Sequence, residues 1–495
     1  MSMIKVSNLT FGYDDSSENV FNDVSFSIDS NWRLGFIGRN GKGKTTFLKL
    51  LMGKYEYRGS IISNENFDYF PFEITNSDVD SYSIAEFHTP GYEEWKLEYE
   101  VSLLDMDTDI LRRPFNTLSK GEQTKVLLAI LFLRDNNFLL IDEPTNHLDV
   151  SARESVANYL KNKKGFILVS HDRTFLDNCV DHILAINRSN IEVQQGNFST
   201  WWENKNRQDN YELAQNEKLK KDINRLEKSA RQTAAWSDKI EASKYNIRKD
   251  LLQDKGYIGH KSAKMMKRSM VTQQRKNDEI EEKSKLLKNL ETTENLKFNM
   301  LENRRGSLIN VHDLIISYDN NEVFDKVSFI LEDGDRLQIK GKNGCGKSSI
   351  IKLLLGNDIK YEGSLNMMSN LKISYVSQDT SYLKGDLRTF AKDNDLEESL
   401  FRAILRKLDF ERELFERRIE NYSEGQKKKV LLAKSLSEKA NIYIWDEPLN
   451  YIDVFSRIQL EDVILMYEPT MIFVEHDETF SEKIATKQLI LNKKK

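Results

Sequence analysis

The chain has 495 residues, with 73 Lys+Arg against 78 Asp+Glu for a net charge of −5. That length allows about three domains. The longest apolar run, residues 126–133, is far shorter than the roughly 18 residues that a membrane-spanning helix needs. Two cysteines cannot form a disulfide framework and suit a reducing compartment. We therefore expect a helix-rich cytoplasmic chain without a signal peptide or membrane span, and secreted, fibrous, integral-membrane and largely disordered proteins are excluded.

Four short motifs occur twice along the chain, in the same order and at nearly constant spacing. The pairs are residues 38–45 and 341–348, 119–122 and 423–426, 142–144 and 446–448, and 171–172 and 476–477. The two copies are offset by 303, 304, 304 and 305 residues respectively. Such a register indicates an internal repeat. We predict two copies of one α/β domain, at residues 1–200 and 306–495.

The stretch between the copies, residues 201–305, has a different composition. It contains 25 Lys+Arg against 17 Asp+Glu, no proline and two glycines, Gly256 and Gly259. Apolar and small side chains between Leu219 and Ile240 recur at alternating spacings of four and three, which is a heptad pattern. We predict a long α-helical hairpin that joins the two domains and turns near residues 246–260. Forty helical residues would extend roughly 60 Å.

Residues 38–45 and 341–348 both read G-x-x-x-x-G-K-[ST], between a strand-like run and a helical pattern. Glycine lets backbone N–H groups face phosphate oxygens, the lysine contacts the β- and γ-phosphates, and the hydroxyl binds Mg²⁺. The pattern predicts two ATP and Mg²⁺ sites. The residues assigned to them are Gly38, Asn40, Gly41, Gly43, Lys44, Thr45 and Thr46, and Gly341, Asn343, Gly344, Gly346, Lys347, Ser348 and Ser349.

Two apolar runs end in adjacent acids, at Asp142-Glu143 and Asp446-Glu447. Buried parallel strands have this pattern, and their carboxyl ends are where such sheets bind ligands. We expect Asp142 and Asp446 to hold Mg²⁺ through its water shell. Glu143 and Glu447 would polarise the water that attacks the γ-phosphate, a contribution of roughly 10² to 10⁴ in rate.

The segments Leu118-Ser119-Lys120-Gly121-Glu122 and Tyr422-Ser423-Glu424-Gly425-Gln426 resemble the signature loop of ATP-binding-cassette (ABC) domains. The resemblance implies that each signature loop completes the ATP site of the other copy, in a monomer with intramolecular cassette pairing. Ser423 and Gly425 would then cap the ATP on Lys44, and Ser119 and Gly121 the ATP on Lys347. It further implies switch histidines at His171 and His476, D-loop acids at Asp149 and Asp453, and adenine-stacking aromatics at Tyr13 and Tyr318.

The two copies differ at the glutamine loop of that family. The second copy has Gln378, for which the resemblance implies a contact to Mg²⁺, where the first copy has Phe72. Since both copies keep their glutamates, we expect both sites to hydrolyse ATP, at unequal rates.

Three classes of protein function are compatible with two ABC domains. The ATPase subunit of an importer would need a separate membrane protein and has no use for a basic helical hairpin. A DNA-repair or chromosome-structure ATPase needs far longer coiled coils or zinc-binding cysteine pairs. The third kind, the ABC-F group of translation factors, has two cassettes joined by a charged helical linker, and this chain resembles it most.

The centre of the linker is strongly basic. From Lys239 to Lys276 there are eleven Lys+Arg against three acids, interleaved with Trp236, Tyr245, Tyr257 and His260. Cations neutralise phosphates, and aromatic rings stack on unpaired bases. This pattern favours ribosomal RNA and tRNA as partners over a merely solvated helix face.

Within ABC-F the chain resembles the Lsa-type antibiotic-resistance proteins over its whole length. That resemblance implies binding at the tRNA exit site of a drug-stalled ribosome, with contacts to 23S rRNA and the P-site tRNA. It also implies displacement of lincosamides, streptogramin A or pleuromutilins, and ATP hydrolysis for release. A housekeeping ABC-F factor that resolves stalled translation is the alternative. The tip residues expected to reach RNA or the drug site are Lys244, Tyr245, Ile247, Leu251, Leu252, Tyr257, Ile258, Lys261, Lys264, Lys267 and Arg268.

Overall fold

The computed structural model describes residues 2–13, 19–134, 137–146, 148–187, 190–245, 264, 267, 270–271, 274–275, 296–301, 306–318 and 321–492. Within these ranges the chain forms two compact units. One consists of residues 1–201 together with 293–495 and contains both copies of the repeat; the other is residues 202–292. In the part that is described, no helix is long and apolar enough to cross a membrane.

The first cassette places two sheets around its nucleotide-binding loops. Its strands are β1 (Met3–Phe11), β2 (Phe21–Asp29), β3 (Arg33–Ile37), β4 (Arg58–Ile62), β5 (Asn66–Phe70), β6 (Asn137–Asp142), β7 (Phe166–Val169), β8 (His182–Asn187) and β9 (Asn190–Gln195). Its α-helices are α1 (Lys44–Leu51), α2 (Ser81–His88), α3 (Glu94–Leu103), α4 (Lys120–Leu131), α5 (Val150–Lys161) and α6 (Arg173–Cys179), with 3₁₀ turns at Thr108–Arg112 and Phe115–Thr117.

The larger sheet of this cassette has the order β5-β6-β7-β3-β8-β9 and is parallel except for β9. A three-stranded antiparallel sheet, β2-β1-β4, lies beside it. Residues 138–141 of β6 and all of β7 are buried, as expected for strands covered on both faces. The carboxyl ends of β3, β6 and β7 therefore meet at one edge, where Lys44, Asp142 and His171 follow in the chain.

The second cassette repeats this architecture. Its strands are β10 (Ser307–Tyr318), β11 (Asn321–Glu322), β12 (Val327–Glu332), β13 (Arg336–Lys340), β14 (Tyr361–Met367), β15 (Ile373–Val376), β16 (Ile442–Asp446), β17 (Met471–Val474) and β18 (Lys487–Ile490). Its α-helices are α8 (Lys347–Leu354), α9 (Leu387–Asp393), α10 (Glu398–Lys407), α11 (Glu424–Ser437), α12 (Val454–Tyr467) and α13 (Glu478–Ile484), with 3₁₀ turns at Arg412–Glu416 and Ile419–Asn421. The parallel sheet has the order β15-β16-β17-β13-β18. The predicted fold class, two α/β cassettes in tandem, is confirmed.

The linker begins as one long helix, α7, which follows the first cassette in the chain. It covers Phe198–Tyr245, 48 residues or about 70 Å at 1.5 Å per residue. The predicted turn of the hairpin lies outside the described residues. Residues 296–301 fall within the predicted linker, but Leu296 and Phe298 are buried in the core of the second cassette. Asn299 N and Leu301 N also donate to the carbonyls of Leu436 and Ala440. The chain thus enters the second cassette earlier than the composition suggests, because Leu296 and Phe298 complete its apolar core.

A buried ion pair joins the two cassettes. The guanidinium of Arg173 in α6 contacts the carboxylate of Glu461 in α12, and both side chains are almost fully buried. Arg173 also lies 3.6 Å from Asp477, and Lys483 lies 3.0 Å from Glu461. Breaking a buried pair by removing one partner leaves an uncompensated charge, which is far more costly than losing an exposed pair.

We predict that Arg173→Met lowers the free energy of unfolding by about 3–5 kcal/mol, because Glu461 stays buried without its main partner. A matched control is Arg33→Met, which removes the half-exposed Arg33–Asp181 pair of the first cassette. That variant should lose about 0–1 kcal/mol. Chemical denaturation of both variants measures the difference. Equal unfolding midpoints would contradict a stabilising role for the Arg173–Glu461 contact.

Candidate active sites

The two P-loops have the same local geometry. Lys44 Nζ donates to the carbonyl of Gly38 at 2.8 Å, and Lys347 Nζ donates to the carbonyl of Gly341 at 2.8 Å. The glycine before each lysine has a left-handed φ, 91° in the first copy and 97° in the second. A Cβ on Gly43 would lie 2.4 Å from Val20 Cγ1. Each loop thus curls around its lysine in a form that only glycine fits, as a phosphate-binding loop requires.

A hydroxyl and a carboxylate face each other at the carboxyl end of each central strand. Thr45 Oγ1 donates to Asp142 Oδ2 at 2.8 Å, and Ser348 Oγ to Asp446 Oδ2 at 3.4 Å. Hard oxygen donors of this kind suit Mg²⁺, which takes its remaining ligands from water and phosphates. The described residues hold no cluster of three His, Cys, Asp or Glu side chains that could bind a metal ion. The donor set fits Mg²⁺ bound together with a nucleotide. Tyr69, which the sequence analysis did not single out, also donates to Asp142, at 2.9 Å.

Glu143 and Glu447 occupy equivalent and strained positions. Both have a left-handed φ, 50° and 48°, and each backbone N–H donates at 2.9 Å to the end of the neighbouring strand. Such strain in non-glycine residues is found at functional sites, where the surrounding structure compensates for it. The predicted switch histidines lie next to them: His171 Nε2 is 3.2 Å from Glu143, and His476 Nε2 is 3.5 Å from Glu447.

The electrostatic surroundings of the two glutamates differ. Burial and the neighbouring Asp142 raise the pKa of Glu143 above its ordinary value. Burial also opposes ionisation of Glu447, but His476, Lys347 and Asn450 lower its pKa below the ordinary value. The candidate base is therefore held more firmly in its ionised form at the second site, which supports the expectation of unequal sites.

The hydrogen-bond partners of the two glutamates differ as well. Gln378 Nε2 and Asn450 Nδ2 each donate to Glu447 Oε2 at 2.7 Å. In the first cassette, Phe72 packs against His88 instead, with ring centroids 4.1 Å apart. The expected contact of Gln378 with Mg²⁺ stays a prediction; the observed contact is the hydrogen bond from its amide nitrogen to Glu447.

At the first site, the P-loop of the first cassette meets the signature loop of the second. Asn40 Nδ2 donates to the carbonyl of Tyr451 at 2.8 Å. A Cβ on Gly425 would lie 2.6 Å from that carbonyl and 3.2 Å from Asn40 Nδ2. Asn40, expected to bind nucleotide, thus also binds the opposite cassette. Ser423 caps α11, with its Oγ accepting from Gln426 N at 3.3 Å.

At the second site, a cavity of about 750 Å³ opens over the P-loop of the second cassette. This volume is in the range of about 300–1,000 Å³ that is usual for ligand pockets. Four of its lining residues come from the first cassette: Lys120, Asn146, Leu148 and Arg153. Lys120 belongs to the first signature loop, whose Ser119 caps α4 and precedes Gly121. The cavity is therefore composite and has the size and the cationic P-loop that ATP needs.

The D-loop acids also reach across the interface. Both begin a helix: Asp149 Oδ1 accepts from Ala152 N at 2.9 Å, and Asp453 Oδ1 from Ser456 N at 3.0 Å. Burial opposes the ionisation of Asp453, but Lys429, the Ser456 N–H, His171 and Lys44 together lower its pKa. The pKa of Asp149 is lowered despite partial burial, by hydrogen bonds in its own turn and by His476 and Lys347. Each acid thus acts electrostatically on the P-loop lysine and switch histidine of the opposite cassette.

The predicted adenine-stacking tyrosines lie beside the P-loops. Tyr13 and Tyr318 are 43% and 47% exposed, which leaves their rings accessible. Tyr13 OH is 2.7 Å from Thr46 Oγ1, and Tyr318 OH donates to Ser349 Oγ at 3.2 Å. Tyr318 also lines the 750 Å³ cavity. Both rings are placed where they could cover a base.

Two cationic residues near the sites escaped the sequence analysis. Arg153 donates to Asp172 Oδ2 at 2.8 Å and to the carbonyl of His476 at 3.2 Å, across the cassette interface. Lys428 lies in the cavity wall, and burial lowers its pKa to about 8 despite the nearby acids. The available signal was a basic residue close to a recognised motif: Arg153 is four residues after Asp149, and Lys428 is five residues after Ser423.

The predicted tip residues are placed only in part. Lys244 and Tyr245 are in the last turn of α7, and Lys264 and Lys267 are helical and exposed. The others lie outside the described residues: Ile247, Leu251, Leu252, Tyr257, Ile258, Lys261 and Arg268.

We predict that Gly425→Ala slows ATP hydrolysis at the first site at least tenfold, because the added methyl group would collide with the Tyr451 carbonyl and push Asn40 away. The variant is measured in a Glu447→Gln background, so that only the first site turns over. The same substitution in a Glu143→Gln background reports on the second site and should have a smaller effect. Equal losses at both sites would contradict this arrangement.

Comparison with known proteins agrees with this geometry. The family model described as "ABC transporter" matches residues 21–146 and 324–450. The ATP-binding protein Uup of Buchnera aphidicola is 29% identical over 98% of this chain and 80% of its own. The ribosome protection protein VmlR of Bacillus subtilis is 27% identical over 97% and 85%. Archaeal ABCE1, solved with the ribosomal stalk protein aP1, superposes with a TM-score of 0.62 at 19% identity over 98% of this chain and 87% of its own. The chain therefore belongs to the ATP-binding cassette family and is an ATP hydrolase.

Proposed function

We propose that this protein is a ribosome protection ATPase. It binds the tRNA exit site of a stalled ribosome in its ATP-bound form, with Mg²⁺ at Thr45, Asp142, Ser348 and Asp446. Its linker then reaches the peptidyl-transferase region and dislodges lincosamides, streptogramin A or pleuromutilins. Hydrolysis at Glu143 and Glu447 releases it. The protein would act in the cytoplasm as a monomer.

The observation that carries this proposal is the charge of the linker. Residues 239–276 carry a net charge of +8 in a chain whose total is −5. Lys264 and Lys267, which belong to this part, are exposed. Clustered exposed cations with aromatic neighbours favour a polyanion with unpaired bases, and rRNA with tRNA is such a partner.

The similar proteins also support a role on the ribosome. VmlR, which its name describes as a ribosome protection protein, is similar over 97% of this chain. We therefore assign the chain to the resistance branch that includes the Lsa-type proteins. We also propose that residues 1–200 and 306–495 are its cassettes and 201–305 its ribosome-reaching linker, with the last residues of that segment anchoring it to the second cassette.

The cassette contacts explain how ATP could control binding. Anions are favoured at helix N-termini, and the N-termini of α1 and α11 face each other across the first site. A bound triphosphate supplies the negative charge that both ends attract. His171, Asp453 and Asn40 lie between the cassettes and would hold that closed form. Loss of the γ-phosphate weakens the attraction, so the cassettes separate and the protein leaves the ribosome.

A housekeeping ABC-F factor is the second candidate, because Uup, whose name states only ATP binding, is as similar as VmlR. Such a factor would resolve stalled translation without protecting against any drug. Ribosome binding is common to both candidates, and drug protection separates them.

Replacing Glu143 and Glu447 together with Gln should trap the protein on ribosomes when ATP is present, since the closed form can bind but not hydrolyse. Sedimentation through a sucrose cushion measures the bound fraction with ATP and with ADP. The control is the same variant with Lys44→Ala and Lys347→Ala, which removes the phosphate-binding charges. If the double Gln variant with ATP stays in the supernatant, a ribosomal role is excluded.

Expression in a sensitive strain should raise the inhibitory concentrations of peptidyl-transferase drugs severalfold and leave those of other ribosomal drugs unchanged. Replacing Lys261, Lys264, Lys267 and Arg268 with Gln should remove this protection, because electrostatic RNA binding falls steeply with each lost cation. The matched control replaces four exposed cations of α7 with Gln: Lys218, Lys220, Lys221 and Lys228. Unchanged inhibitory concentrations for the wild type would favour the housekeeping factor, and equal losses in both variants would contradict a special role of the tip.

A further inference from the structure

Lys428 is a buried cation on the signature helix of the second cassette. It is 2% exposed and lies about one turn after Gly425 in α11. Its Nζ donates to three backbone carbonyls: Ser377 O at 2.7 Å, Gln378 O at 3.4 Å and Asp446 O at 3.5 Å. An ammonium group has three N–H donors, so these carbonyls match its full hydrogen-bonding capacity. Burying a charge is costly, and a residue held in this way is expected to serve a purpose.

The three carbonyls belong to the machinery of the second site. Ser377 and Gln378 form the glutamine loop, and Asp446 ends β16 directly before Glu447. Gln378 Nε2 in turn donates to Glu447 Oε2 at 2.7 Å. Lys428 therefore ties the backbone of the glutamine loop to the strand end that carries the candidate base.

A second contact strengthens this attachment. Thr380 Oγ1, in the same loop, donates to Glu424 Oε2 at the start of α11. The helix thus holds the loop at two points, while Gly425 between them lies against the Tyr451 carbonyl and Asn40 of the first site. One rigid helix consequently contacts both ATP sites.

The first cassette lacks the whole arrangement. With the offset of 304 residues, Thr124 stands where Lys428 does, and its Oγ1 donates to Lys120 O within its own helix at 3.0 Å. The first cassette also has no counterpart of Gln378, since Phe72 stands in place of the glutamine and packs against His88. The lysine and the glutamine occur together in one cassette and are missing together in the other.

We propose that Lys428 is a positioning residue for ATP hydrolysis at the second site. It holds the glutamine loop so that Gln378 orients Glu447, and through α11 it links closure of the first site to hydrolysis at the second. Since the three N–H donors of its ammonium group go to backbone carbonyls, the charge acts through the backbone of the loop. This role concerns the ATPase reaction and does not depend on the ribosomal function.

The test measures ATP turnover of the purified full-length protein without ribosomes, in a Glu143→Gln background where only the second site hydrolyses. Lys428→Met keeps the length of the side chain and removes the charge. We expect kcat to fall about ten- to a hundredfold, since small displacements of catalytic groups have effects of this size, while KM changes less than threefold. Lys428→Arg, which restores the cation, should recover kcat to within about threefold of the background enzyme.

The matched control is Thr124→Met in a Glu447→Gln background, which should leave turnover at the first site within twofold. Thermal unfolding of each variant is recorded in parallel. Unchanged kcat in Lys428→Met would overturn the proposal. Two other outcomes would also overturn it. In the first, the Met and Arg variants lose activity equally although both keep the melting temperature of the background enzyme. In the second, the Arg variant recovers kcat only to the extent that it recovers thermal stability. Failure of ribosome binding or drug protection would leave these kinetic outcomes unaffected.

Discussion

The contact between the P-loop of one cassette and the signature helix of the other is the constraint on which the rest of the molecule depends. At the first site this contact is direct. Asn40 donates to the Tyr451 carbonyl, and Gly425 packs against both. No side chain larger than glycine's fits there without displacing backbone. Because each ATP site is built from both cassettes, binding in one cassette cannot be separated from the position of the other.

The two sites share this plan but differ in their chemistry. The second has Gln378, Asn450 and Lys428 arranged around Glu447, and its glutamate is held in the ionised form. The first has Phe72 and Thr124 at the corresponding positions, and burial raises the pKa of Glu143. A carboxyl with a raised pKa is ionised in a smaller fraction of molecules at neutral pH, so the glutamate of the second site is more often in the form that can accept a proton. The first site has the tighter cross-cassette contacts and is suited to holding the cassettes together.

Sequence reasoning predicts the repeat, both parallel sheets and the motif residues, because each motif has a fixed spacing and a local backbone form. It does not predict Lys428, Arg153 or the Asn40–Tyr451 contact. Each depends on which side chain faces an element that is distant in sequence. Lys428 contacts a residue 51 positions away, Arg153 one 323 positions away and Asn40 one 411 positions away. The burial of Leu296 and Phe298 cannot be predicted for a similar reason: only the folded core shows that these two side chains fill it. The composition of this segment indicates a polar linker and does not show that two of its apolar side chains are buried.

The central claim is that each ATP is enclosed by the P-loop of one cassette and the signature loop of the other. Vanadate with ADP and Mg²⁺ takes the place of the γ-phosphate, and under ultraviolet light it cleaves the backbone next to it. With the second site silenced by Lys347→Ala, we expect cleavage within residues 38–45 and beside Ser423, with the fragments identified by mass spectrometry. Cleavage within residues 38–45 and beside Ser119 instead would contradict it, because the first site would then be completed by its own cassette.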